Sequence, residues 1–145
     1  MLVKQYILQR IIKIKTLTQY DKQTIFIQVY DPVEDVWAVS DILELPGFHE
    51  GFCAIPFHDE GIYIAGGYDE YGDRKRLQYM NLKDGSLTTL DHMYENRTLP
   101  ACALYRNGFA VAGGWSGNSE IIGDVKPNQK VEYFDFDTGR IRTAL

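Results

Sequence analysis

The chain has 145 residues, 45% of them hydrophobic and 24% charged, with a formal net charge of −5 at pH 7. These proportions exclude a disordered or low-complexity chain and fit a soluble globular domain. The mild acidity offers no basic field for nucleic acid or an anionic membrane, and no stretch approaches the ~20 apolar residues of a membrane-spanning helix.

The N-terminus is apolar and basic, with no acid before Asp21. It lacks a small-residue cleavage site and a compact apolar run, so a signal peptide is not expected; a transit peptide is the remaining targeting alternative. Cytoplasmic location is the expectation. Residues 2–8 and 11–17 are β-branched and partly alternate, as in Ile12-Lys13-Ile14-Lys15-Thr16-Leu17, which predicts half-exposed strands. Val3, Ile7, Ile11 and Ile14 also share one helical face, so a helix competes. Strands are preferred because the repeat described next needs two of them before residue 24. A turn is expected at Tyr20-Asp21-Lys22-Gln23, then strands over Thr24 to Tyr30 and Val36 to Ser40. Pro32, which cannot donate to a ladder, falls between these two.

Farther along, Gly61-Ile62-Tyr63-Ile64-Ala65-Gly66-Gly67 recurs 47 residues later as Gly108-Phe109-Ala110-Val111-Ala112-Gly113-Gly114. A run that starts at a turn glycine, alternates large and small apolar residues and ends in a glycine pair reads as a buried strand with a bent or closely approached tail. Self-similarity at this period points to a solenoid, a propeller or an array. Around the first copy, Phe52 to Phe57 is a predicted strand, followed by the Ile62 to Gly66 strand, a polar loop over Tyr68 to Lys75, and a strand over Arg76 to Asn81. Asp84-Gly85 makes a hairpin turn into Leu87 to Leu90. Around the second copy the same plan gives strands over Ala101 to Tyr105, Phe109 to Gly113, Lys130 to Phe136 and Arg140 to Thr143. Three segments also align without gaps: Ile27 to Trp37, Leu77 to Leu87 and Val131 to Ile141. Each places a large residue (Tyr30, Met80, Phe134) before Asp or Asn, with an apolar residue seven further on (Trp37, Leu87, Ile141).

This order of apolar strand, Gly-Gly, loop, Val-Glu-x-Tyr-Asp-Pro-like strand, turn and Trp resembles the Kelch repeat. The likeness is carried by Gly61 to Gly67, Gly108 to Gly114, Val131-Glu132-Tyr133-Phe134-Asp135, and Tyr30-Asp31-Pro32 with Trp37, over residues 25–145. Departures are Met80 and Leu87, where Tyr and Trp are usual, and the lack of a glycine pair before Tyr30. The resemblance implies an all-β fold, a Kelch-type β-propeller segment of about three four-stranded antiparallel blades, near residues 1–41, 50–91 and 100–145. Gly66, Gly67, Gly113, Gly114, Tyr30, Trp37 and Phe134 would be its structural repeat positions. Trp37, as a blade-core anchor, is expected to cost about 3–5 kcal/mol on truncation to alanine. Because propellers usually close with four to eight blades, the chain is expected either to belong to a longer propeller or to assemble with a second copy into a six-bladed ring.

The function this implies is non-catalytic: a protein-interaction module, adaptor or scaffold, such as a substrate receptor for ubiquitin ligation or a cytoskeletal binder. No BTB, BACK or F-box segment is visible. Recognition would fall on the loops over Asp41 to Glu50, Tyr68 to Lys75, Asp91 to Leu99 and Trp115 to Asn128. Tyr68, Tyr71, Arg74, Arg76, Tyr94, Arg97 and Trp115 are the candidates there, being of the types enriched at interface hot spots. Against this, polar loops are part of any propeller, and Trp115 could pack on a neighbouring blade. A protein partner is expected, with no nucleic acid, membrane, metal or cofactor. His49, His58 and His92 lie in separate loops without metal-ligand spacing, and no phosphate loop or nucleophile motif occurs. The alternative is an enzyme or sugar-binding propeller of the oxidase or epimerase type. Cys53 and Cys102 read as buried, inert thiols on interior strands, with a disulfide or metal pair as alternatives.

Overall fold

A computed structural model describes residues 11–19, 22–46, 50–58, 60–69, 72–116 and 125–144. The strands expected over residues 2–8, and Tyr20 and Asp21 of the first turn, lie outside this set. Among the described residues there are strands and turns and no helix, hence no helix long and apolar enough to cross a membrane. All pairings are antiparallel.

Strands β1 (Ile11–Gln19), β2 (Lys22–Asp31) and β3 (Val36–Pro46) form the first sheet in sequential order. The alternation over residues 11–17 therefore belongs to a strand and not a helix. In the second sheet β4 (Glu50–Phe57), β5 (Gly61–Asp69), β7 (Arg76–Asn81) and β8 (Leu87–His92) follow in order, while β6 (Gly72–Asp73) folds back onto the end of β5. The third sheet orders β9 (Ala101–Leu104), β10 (Gly108–Ala112), β13 (Val131–Asp135) and β14 (Arg140–Ala144). Within its β10–β13 connection, β11 (Trp115–Ser116) and β12 (Lys126–Pro127) pair as a short ribbon.

The predicted hairpin at Asp84-Gly85 forms because Gly85 takes a φ of 72°, donates to the Asn81 carbonyl at 2.9 Å, and leaves Asn81 N–H to the Ser86 carbonyl. Asp135 plays the equivalent part at the last turn, its Oδ1 accepting from the amides of Asp137 and Thr138. The Thr138 amide bond is the main reason the Asp135 carboxyl sits below the usual carboxylate range.

Strand alternation gives each sheet two faces, and these pack in series. Ile27, Leu43 and Leu45 of the first sheet bury against Ile62, Ile64 and Met80 of the second. The other face of the second sheet, with Cys53, Ala65 and Leu77, buries against Phe109, Val111, Phe134 and Ile141 of the third. An aromatic group of Phe57, Tyr63 and Phe136 seals that boundary, with Tyr63 stacked on Phe136 at 4.9 Å between ring centroids. Cys53 on β4 and Cys102 on β9 cross the same boundary as a disulfide, their Cα atoms 6.0 Å apart. This corrects the expectation of free thiols. The two cysteines lie on the first strands of consecutive sheets, and face-to-face packing brings those strands together.

Two further expectations change. The strand predicted to stop at Ser40 continues to Pro46, so residues 41–46 are not loop. Register passes from Phe26 opposite Glu44 to Gln28 opposite Val39, which leaves residues 40–43 bulged out. Ser40 Oγ accepts from the Leu43 amide at 3.1 Å within that bulge, and Leu43 and Leu45 then enter the core. Trp37, expected as a core anchor, is 45% exposed. It faces Tyr30 across the ladder, ring centroids 5.1 Å apart, on the side of the first sheet turned away from the second. With only half the side chain withdrawn from water, Trp37→Ala should cost about 1 kcal/mol by urea unfolding. A loss of 3 kcal/mol or more would restore the anchor role.

Candidate functional site

Of the four loops singled out in the sequence, three are drawn together at one end of the second and third sheets. They meet around residues 93–100, the connection from β8 to β9. Its backbone is held on both sides. Met93 N–H donates to Lys75 O at 2.7 Å, Arg97 N–H to Arg74 O at 3.0 Å, and Gly67 N–H to Arg97 O at 2.7 Å. Across the gap, Thr98 and Trp115 exchange two backbone bonds of 2.8 and 2.9 Å, and Asn128 N–H donates to Gly114 O. The connection thus bridges the tail of the second sheet's glycine-pair strand to that of the third.

The glycine pairs permit this approach. Gly66 has a φ of 69°, and a Cβ there would overlap the Arg97 carbonyl oxygen; Gly114 has a φ of 80°, and a Cβ would stand 2.7 Å from the Thr98 carbonyl oxygen. At these two positions the positive φ and the facing carbonyl oxygens leave no room for a side chain.

Arg97 itself is not a surface residue. It is fully buried, its guanidinium donating to Glu132 Oε1 from both Nε (3.2 Å) and Nη2 (2.9 Å) and to the Gly113 carbonyl from Nη1 (2.8 Å). Glu132, also fully buried, accepts the Tyr94 amide on its second oxygen at 2.6 Å. The expectation of direct partner contact by Arg97 is therefore corrected. A forked cation that satisfies a carboxylate and a carbonyl at once fixes the connection instead. Glu132 carried a signal that sequence reasoning missed: by alternation it shares the core-facing side of β13 with Phe134. An acid on an apolar face calls for a buried cation.

The other candidates divide. Tyr94 is 62% exposed and Trp115 47%, and they flank the buried Arg97 on the connection and on β11. Arg74 is ion-paired with Asp69, which the return of β6 onto β5 places beside it. Tyr68 is half-buried at the same strand end, opposite Asp73. Arg76 is half-buried on β7 opposite the exposed His92, and is thus placed within the sheet. Tyr71 lies outside the described residues. Lys130 Nζ contacts Glu95 Oε1 at 2.8 Å beside Tyr94, and that hydrogen bond with its charge holds the Glu95 carboxyl below its usual range. Among the described residues no group of three metal-ligating side chains occurs. The surface offers aromatic area and mixed charge on a backbone tied down from both sides. No protein family and no curated protein sequence matches this chain.

Proposed function

We propose that the chain is a segment of a Kelch-type β-propeller and serves as a non-catalytic protein-interaction module, an adaptor or scaffold that recognises its partner with the loop edge around residues 93–100. The propeller reading is supported by serial face-to-face packing of sheets whose equivalent residues recur in phase. The recognition reading is carried by a single observation: two large aromatic side chains stand exposed at one edge, Tyr94 on the connection held by the buried Arg97–Glu132 pair and Trp115 on β11, bonded through its backbone to Thr98 of that connection. Exposed aromatic groups on a fixed backbone give up little conformational entropy on binding, which is the property shared by interface hot spots. A cytoplasmic role as ubiquitin-ligase receptor or cytoskeletal binder belongs to the same proposal.

The test is quantitative affinity capture from a cell extract, comparing the natural chain with a Tyr94→Ala, Trp115→Ala double variant. The expected result is a defined set of captured proteins reduced at least about tenfold by the double variant, with an unchanged melting temperature. Equal recovery by both forms would remove this edge as the recognition surface.

A further inference from the structure

Strand register places two residues of unlike type at the same point of consecutive units. Ala65 and Ala112 are equivalent in the recurrence, and Ala65 lies opposite Cys53 while Ala112 lies opposite Ala101. Two residues before Cys53 stands Gly51, with a φ of 60°; two before Ala101 stands Leu99, with a φ of 57°. The left-handed entry into the first strand is thus a property of the repeat. Glycine adopts it freely, whereas a bulky side chain there is strained by its own Cβ.

The backbone of Leu99 is fixed from both sides. Its N–H donates to the Gly51 carbonyl at 2.6 Å, the preceding Thr98 exchanges two backbone bonds with Trp115, and the following Pro100 is buried. Little packing offsets the strain. A leucine withdrawn from water would gain by its burial, but Leu99 remains 67% exposed. At Gly51 a Cβ would stand 2.9 Å from Thr98 Cγ2, so space as well as backbone demands glycine there; at Leu99 the side chain has room and only the backbone opposes it. Strained residues held in place by their surroundings cluster at functional sites.

Resting on the recognition reading above, we infer that Leu99 is a third contact residue of this edge, an aliphatic side chain that enters an apolar pocket of the protein partner. Tyr94 lies on the same connection, and Trp115 is bonded to the residue beside Leu99. Leucine offers neither donor nor acceptor, so the surface that covers it must be one without polar groups to satisfy. A pocket on a folded protein meets that condition, and a phosphate backbone does not.

Leu99→Gly removes the side chain and the strain together. Its melting temperature should rise by roughly 2–5 °C. The probe is the set of extract proteins held by the natural chain and lost by the Tyr94→Ala, Trp115→Ala variant, and their capture by Leu99→Gly should fall at least about tenfold. A residue that serves the fold would lower both readouts. Leu99→Asn, which also tolerates the left-handed region, repeats the test should the glycine variant lose its fold. Leu99→Met, of similar volume, should keep capture within about twofold of the natural chain. Arg106, with a φ of 52°, lies in the turn at the far end of β9, and Arg106→Gly should leave capture unchanged. Two results would each overturn the contact and leave the recognition edge standing: a lower melting temperature for both Leu99→Gly and Leu99→Asn, or full capture by them where the Tyr94→Ala, Trp115→Ala variant loses it. Equal recovery by the natural chain and every variant would remove the edge and the contact together.

Discussion

Replacing Arg97 by alanine is expected to destabilise the chain by about 3–5 kcal/mol, the cost of leaving a buried carboxylate without its cation. Glu132 would keep the Tyr94 amide but lose both guanidinium bonds, and the Gly113 carbonyl would lose its donor. The main-chain bonds of residue 97 with Arg74 and Gly67 remain in this variant, but without the guanidinium ties to Glu132 and Gly113 the connection should open more often, read as faster amide exchange at Gly67 and Thr98. A double replacement, Arg97→Met with Glu132→Met, should cost clearly less than Arg97→Ala alone, since apolar groups of similar volume remove the uncompensated charge. Urea unfolding of the three variants decides it. If the double replacement is as damaging as the single one, the pair contributes through packing and not through charge compensation. Arg76→Ala, which removes no buried ion pair, is the control and should stay within about 0.5 kcal/mol.

The second large effect is expected from the disulfide. Cys53 and Cys102 are separated by 49 residues in sequence, and closing a loop of that length in the unfolded chain corresponds to roughly 4 kcal/mol on the chain-entropy scale. Cys102→Ala, or reduction of the natural chain, should lower unfolding stability by an amount of that order. The loss should concentrate at the boundary between the second and third sheets, where β4 and β9 meet. The matching chemical observation is that neither thiol of the oxidised, folded chain is alkylated until a reductant is added. Two reactive thiols in chain purified under air would show that the cysteines are not joined. Unchanged stability on reduction would show that the sheet boundary is held by its aromatic and aliphatic core alone.

Element types over most of the chain follow from local residue patterns. The 47-residue recurrence, the alternation within each copy and the turn residues at Asp84-Gly85 and Asp137-Thr138-Gly139 set the hairpins of the second and third sheets to within a residue or two at most boundaries. These features are local, because period-2 alternation and positive-φ turns are properties of a few neighbouring residues. Which side of each strand is covered depends instead on how the sheets pack on one another. Trp37 and Ile141 occupy the same place in the repeat, yet Ile141 is buried because a sheet lies over its face, and Trp37 is half-exposed because none of the described sheets lies over its own. Arg97 reads as a loop cation in sequence and becomes a core residue only when Glu132, 35 positions away, arrives opposite it. The cysteines pair for the same reason, and β3 runs past Ser40 because its bulge lets Leu43 and Leu45 reach the second sheet. Burial, ion pairing and cross-linking join residues distant in sequence, so no local pattern contains them, whereas the strands and turns that carry them are written in short stretches of the chain.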